Sequence, residues 1–151
     1  MTALKRNPAL KGILFDQPSV IEQARERIAQ AGVADRCELI AGDFLQAVPQ
    51  GGDAYLRHIL LDWDDAACET ILRNCMKAMK PDGKILVAEE VPGPGRADLP
   101  GKLIDLTIMI DLHGRLREAD EFRKLFASVG LSIKRILPTR FPYKIIEDVI
   151  A

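Results

Sequence analysis

Two aspartates and one acidic, tryptophan-bearing turn are the residues of this chain best placed to do chemistry. Asp16 closes the apolar run "GILFD", residues 12–16, and Asp43 stands near the end of "CELIAGDF", residues 37–44. A carboxylate at the end of a buried strand can accept the two hydroxyls of a ribose, or it can cap the helix that follows. Both readings stand for Asp16 and Asp43. The third feature is "RHILLDWDD", residues 57–65, an apolar run that ends in Asp62-Trp63-Asp64-Asp65. In parallel α/β sheets, ligands and catalytic groups collect at such strand ends. Yet the side chain just before this acidic turn is Leu61, which can neither take nor give a proton.

Metal and thiol chemistry find less support. Cys68 and Cys75 are seven residues apart on one face of an expected helix, with no further ligands beside them. With Cys37 they make an odd count and no disulfide framework, so the expectation is structural thiols in a reducing cytoplasm and no metal.

These residues need a scaffold, and the patterning supplies one. Strands are expected at 12–16, 37–44, 54–61 and 84–91. A helix follows the first, with Ser19 and Glu22 as a capping box, an inward stripe of Val20, Ile21, Ala24, Ile28 and Ala31, and Gly32 as its stop. Residues 64–80 form a second helix, started by Asp64 or Asp65, that turns Ala67, Cys68, Ile71, Leu72, Cys75 and Met79 inward. "KLIDLTIMIDL" reads as a helix after a Pro-rich loop, and "EADEFRKLFASVG" as an amphipathic helix closed by Gly130. "LSIKRILPT" and "YKIIEDVIA" read as a closing hairpin. Strands alternating with helices predict a mainly parallel sheet with helices on both faces. The hairpin adds one antiparallel strand at an edge.

Bulk properties narrow the function classes. The 151 residues suit one domain with a real core, and a net charge of −1 gives no electrostatic reason for nucleic acid or an anionic membrane as partner. No apolar run approaches the roughly 20 residues of a membrane span. The opening "MTALKRNPALKG" lacks the marks of a signal peptide. Neither GxGxxG nor GxxxxGKS is present, and "GPGR" at 93–96 lies in a Pro-rich loop, so a nicotinamide oxidoreductase lacks its fingerprint.

The order and spacing of "AGVADRCELIAGDF", "LRHILLDWDD", "ILRNC", "LVAEE" and "GRLREADEF" resemble the S-adenosylmethionine-dependent small-molecule O-methyltransferases. That group methylates plant phenolics and bacterial polyketide or antibiotic hydroxyls, and the resemblance covers nearly the whole chain. It implies an α/β fold: a Rossmann-like class I methyltransferase sheet, mainly parallel, with a C-terminal antiparallel hairpin. Such proteins begin with a helical dimerisation domain, followed by a strand and a Gly-rich turn that cradles the methionine end of the cofactor. This chain resembles what comes after that turn, so residues 1–151 are expected to be a single partial domain with the first strand absent. That strand lies in the family between those matching 12–16 and 54–61, and its absence predicts exposed sheet edges and a homodimer.

Residue by residue, the resemblance places Asp16 on the cofactor ribose and Asp43 and Phe44 beside the adenine. Arg57 stands where the family usually has Lys, near the cofactor carboxylate, and Trp63 packs near the cofactor or braces its own turn. The family's general base, a His, corresponds to Leu61, and the Glu that orients it corresponds to Leu116. Glu89 keeps the remaining partner position. His58 and His113 read as structural or remote. The implied function is methyl transfer from S-adenosylmethionine to a small-molecule hydroxyl, impaired here, with weak cofactor binding. The alternative is a non-catalytic remnant or pseudoenzyme acting as a binding or assembly module.

Overall fold

A computed structural model describes residues 2–52, 55–57, 59–93, 114–139 and 143–150, with backbone alone for 55–57. The expected helix at 102–112, the loop before it, His58, His113 and the Arg57 side chain lie outside what is described. The chain divides into two compact units, residues 1–49 and 50–151.

The first unit holds helix α1 (Thr2–Arg6), strand β1 (Gly12–Asp16), helix α2 (Pro18–Gln30) and strand β2 (Cys37–Ala41). β1 and β2 run parallel in the register Gly12↔Cys37 through Asp16↔Ala41. The core is small: Leu4, Ile28 and Val33, with Ala31, Cys37 and Leu39 packed against it. Arg36 ties the end of α1 down, its Nη1 donating to the carbonyls of Leu4, Asn7 and Leu10 at 3.1, 3.3 and 3.1 Å. α2 starts on Pro18, whose missing N–H has no role at a helix start. Gln17 is the N-cap and makes no side-chain cap bond, so the expected Ser19–Glu22 capping box does not form. Val20 is exposed rather than inward. Gly32 ends the helix as expected, at φ 67°, a backbone conformation glycine adopts without strain. β2 also stops two residues short of Asp43.

The second unit is a four-stranded sheet in the order β3-β4-β6-β5, from β3 (Tyr55–Arg57), β4 (Ile85–Glu90), β5 (Leu131–Pro138) and β6 (Tyr143–Ile150). β3 and β4 are parallel, and β6 runs antiparallel to both β4 and β5. The antiparallel strand is therefore interior, not at the edge: the hairpin folds β6 back against β4 and leaves β5 outermost. Helix α3 (Asp65–Ala78) buries Cys68, Ile71, Leu72 and Cys75, and helix α4 (Ala119–Ser128) buries Phe122, Leu125 and Phe126. The rings of Phe122 and Phe126 lie 5.6 Å apart. Ser128 joins the two helices, its hydroxyl donating to Glu69 at 2.7 Å and its carbonyl accepting from Arg73 at 3.1 Å.

β6 carries two buried acids in succession. Glu147 is held by Lys84 Nζ at 3.0 Å and by Arg135, which keep its carboxyl below the usual range. Asp148 is fully buried, and among the described residues neither of its oxygens has a hydrogen-bond partner. Burial, and then the charge of Glu147, push its pKa up to about 7. Among the described residues no helix is long and apolar enough to cross a membrane.

Candidate functional site

The candidate residues fall into two groups, one in each unit. In the first unit a cavity of about 350 Å3 lies at the C-terminal ends of β1 and β2, lined by Phe15, Gly42, Asp43, Gln46, Val48 and Pro49 among others. The parallel register places Phe15 opposite Ile40 and Asp16 opposite Ala41, so both strands release their chains at the same height. A Cβ at Gly42 would stand 2.5 Å from Phe15 Cε2, so a side chain there would require the Phe15 ring to move.

Asp43 Oδ1 accepts the N–H of Leu45 at 2.9 Å, and Oδ2 accepts from the Gln46 side-chain amide at 3.3 Å. The carboxylate thus shapes its own turn, as short acids after strands do. A carboxylate offers about four acceptor sites, so capacity remains on the exposed side of Asp43 for a hydrogen-bond donor of a ligand. Asp16 Oδ1 accepts the N–H of Gln17 at 2.8 Å. Phe44 is half-buried and does not line the cavity; the aromatic ring that does is Phe15, which sequence reading passed over as a core position.

The second group surrounds Leu61. Strand β3 ends at Arg57 rather than at 61, and Leu60–Asp62 form one turn of 3-10 helix. Glu89, on β4 and 1% exposed, turns its Oε1 to the N–H groups of Ile59 and Leu60 at 3.2 and 2.7 Å. From the other side comes Arg117, also 1% exposed. Its Nη1 donates to the Leu60 carbonyl at 2.7 Å and its Nη2 to the Trp63 carbonyl at 2.8 Å. Asp65 Oδ1 takes both Nε and Nη2 of the same guanidinium, at 3.0 and 2.8 Å. Arg117, first through that bond and then through its charge, holds the Asp65 carboxyl below its ordinary range against the opposing effect of burial. Burial pushes Glu89 up, and the amides of the turn and the charge of Arg117 pull the other way.

Two further contacts close the turn. The N–H of Arg115 donates to the Leu61 carbonyl at 2.8 Å. Gly114 lies so near that a Cβ on it would sit 1.9 Å from the Leu61 carbonyl oxygen. Leu61 and Leu116 are both buried, at 5% exposure each. The two positions marked for a base and its orienter therefore hold apolar side chains inside the protein. Asp64 caps α3, its Oδ1 accepting the N–H of Ala67 at 2.8 Å, and the Cys68 thiol donates to the Leu60 carbonyl at 3.2 Å. Trp63 is half-buried. Arg117 and Gly114 escaped sequence reading because charged residues are almost always exposed and a glycine between loop residues is ordinary.

Comparison with known proteins places this geometry. The family model for the O-methyltransferase domain matches residues 1–132. The chain is 46% identical over 145 residues to phenazine O-methyltransferase PhzM of Lysobacter antibioticus, covering 95% of this chain and 42% of that protein. The crystal structure of LaPhzM matches with a TM-score of 0.94 and 43% identity, over 99% of this chain and 46% of that one. NcsB1, an O-methyltransferase from neocarzinostatin biosynthesis solved with S-adenosylmethionine and 2-hydroxy-5-methyl naphthoic acid, matches at 28% identity and a TM-score of 0.89, over 99% of this chain and 44% of that one. The chain spans less than half the length of each of these relatives.

Proposed function

This chain belongs to the O-methyltransferase domain family, and we propose from that premise that its whole protein moves a methyl group from S-adenosylmethionine to the hydroxyl of a small phenolic or polyketide-type acceptor. The observation that carries this reading is the cavity of the first unit, where the Asp43 carboxylate and the Phe15 ring share one wall at the ends of two parallel strands. That combination of an acceptor and an aromatic face suits an adenine, and Asp16 beside it suits ribose hydroxyls. When bound, the cofactor supplies an electrophilic methyl group on a sulfonium sulfur. Within the first unit, Asp16 and Asp43 would hold its adenosine end, with the Phe15 ring as the aromatic face.

Proton removal is the weak step. Leu61 accepts no proton, and Glu89 is committed to backbone amides. Transfer then depends on orienting an acceptor whose hydroxyl arrives already ionised, which proximity alone can accelerate. The second reading is a binding or assembly module without turnover, and the buried pair of leucines at 61 and 116 favours it.

Calorimetric titration with S-adenosylmethionine tests the premise. A dissociation constant on the order of 10⁻⁴ M is expected for the isolated chain, because the adenosine end is held and the methionine end is not. Absence of any binding at millimolar cofactor overturns the reading. Turnover of a phenol panel by the unaltered chain separates the enzyme from the module. Leu61→His alone is expected to leave turnover unchanged, since an imidazole there lacks the carboxylate at position 116 that would fix its tautomer; strong methylation by that single variant overturns this.

The proposed setting is the cytoplasm, consistent with three free thiols, with residues 1–151 part of one methyltransferase domain and a second copy as partner. Support for the homodimer comes from β1: among the described residues it pairs on one side only, and Ile13 on it and Leu10 before it are exposed. Light scattering at micromolar concentration decides this against a 16.7 kDa monomer.

A further inference from the structure

Arg117 is the one cation among the buried residues described, and the sequence reading assigns it nothing. Burying a guanidinium is costly unless every face of it is satisfied. Here its three donor nitrogens are spent on one short stretch of chain: the carbonyl at the start of the 3-10 turn, the carbonyl just past its end, and the carboxylate two residues later. Glu89 takes the amides at the same turn's start. The peptide groups flanking Leu60 are therefore gripped at both poles, N–H by a carboxylate and C=O by a guanidinium. The Leu61 carbonyl is taken by the Arg115 amide. A turn so held has one heading for the side chain at 61 and one seat for Trp63.

We propose that Arg117 is a positioning residue: its planar fork, braced by Asp65, latches the Leu60–Trp63 turn and so sets where residue 61 and Trp63 stand. This rests on the reading that the turn borders the methyl-transfer centre only for its consequence; the latch itself is independent of that. Lysine cannot replace it, because one ammonium cannot span two carbonyls and a carboxylate in a plane. Asp65→Asn keeps the guanidinium but weakens its brace.

The chain has a single tryptophan, and it is Trp63. Its emission therefore reports on the turn alone. We expect Arg117→Lys to raise acrylamide quenching of Trp63 by about twofold or more and to red-shift its emission, at temperatures where far-UV dichroism is still native. Asp65→Asn should give the same change at smaller amplitude. Phe122→Leu, a core variant in α4, should lower the melting temperature while leaving Trp63 unmoved below it. The proposal is overturned if Trp63 in Arg117→Lys responds only as the whole fold melts, or if Phe122→Leu moves it equally. Should Arg117→Lys fail to fold, the Asp65→Asn and Phe122→Leu pair makes the same comparison. Titrating the unaltered chain with S-adenosylmethionine while watching Trp63 is a separate arm. No response there removes the functional reading of the turn and leaves the latch standing.

Discussion

Asp43 and Glu89 are both acids near the C-terminal ends of strands, and the protein uses them in opposite ways. Asp43 is exposed, and it accepts from Leu45 and Gln46, two and three residues along the chain. Glu89 is buried, and its partners are amides 29 and 30 residues away. A locally engaged carboxylate can be removed with little effect on the fold and has capacity for a ligand. A carboxylate that satisfies distant buried amides belongs to the fold. The turn around Leu61 is therefore a structural knot, and the cavity beside Asp43 is a surface left open.

The sharpest way to break the contrast is at Gly114. Gly114→Ala should cost about 3 kcal/mol or more, because the new Cβ would meet main chain rather than a movable side chain; urea unfolding with an unchanged slope measures it. Glu89→Ala follows at about 2–3 kcal/mol, the penalty of leaving buried amides unsatisfied, and Glu89→Gln should recover part of that because its amide oxygen still accepts. Asp148 contributes next. Its raised pKa means the folded state holds a proton that the unfolded state has released between about pH 4 and 7. Its contribution to stability is thus complete below the unfolded value and is lost as pH rises through about 7. Unfolding free energies at pH 5 and pH 8 should differ by about 2 kcal/mol from this group, and Asp148→Asn should flatten the profile. The smallest effect belongs to the cavity. Asp43→Ala should change stability by less than about 0.5 kcal/mol while weakening S-adenosylmethionine binding by about tenfold. A large stability loss there would erase the distinction between the two acids.

Much of the scaffold was legible because it rests on period. β1, α3, β4, α4 and the closing hairpin stand within two residues of where apolar spacing puts them. The misses have two causes, a competition between local signals in one place and tertiary contacts in the others. Ser19 with Glu22 looks like a capping box, but Pro18 begins the helix earlier and makes Gln17 the cap. "AYLRHILL" is apolar enough for one long strand, yet Glu89 and Arg117 bend its end into a turn, and both lie far off in the chain. β6 lies inside the sheet because pairing order is a tertiary choice that alternation does not encode. In the candidate site, the acids and Leu61 were visible as residue types. Phe15 and Arg117 were not, since an aromatic in a strand reads as core and an arginine reads as surface.

The three cysteines turn the two units into a pair of kinetic clocks. Cys37 lies half-buried in the first unit. Cys68 and Cys75 are sealed in α3, and burial pushes both thiols up to about 11. Thiolate is the species that alkylating reagents attack, so in the native state these two are shielded twice, by access and by protonation. Their labelling rate then measures how often α3 opens, and the loss of Cys37 reactivity measures the first unit by itself. If the knot around Leu61 opens only with the rest of its unit, Cys68, whose thiol donates into that turn, and Cys75, about two turns further along α3, will be modified in step.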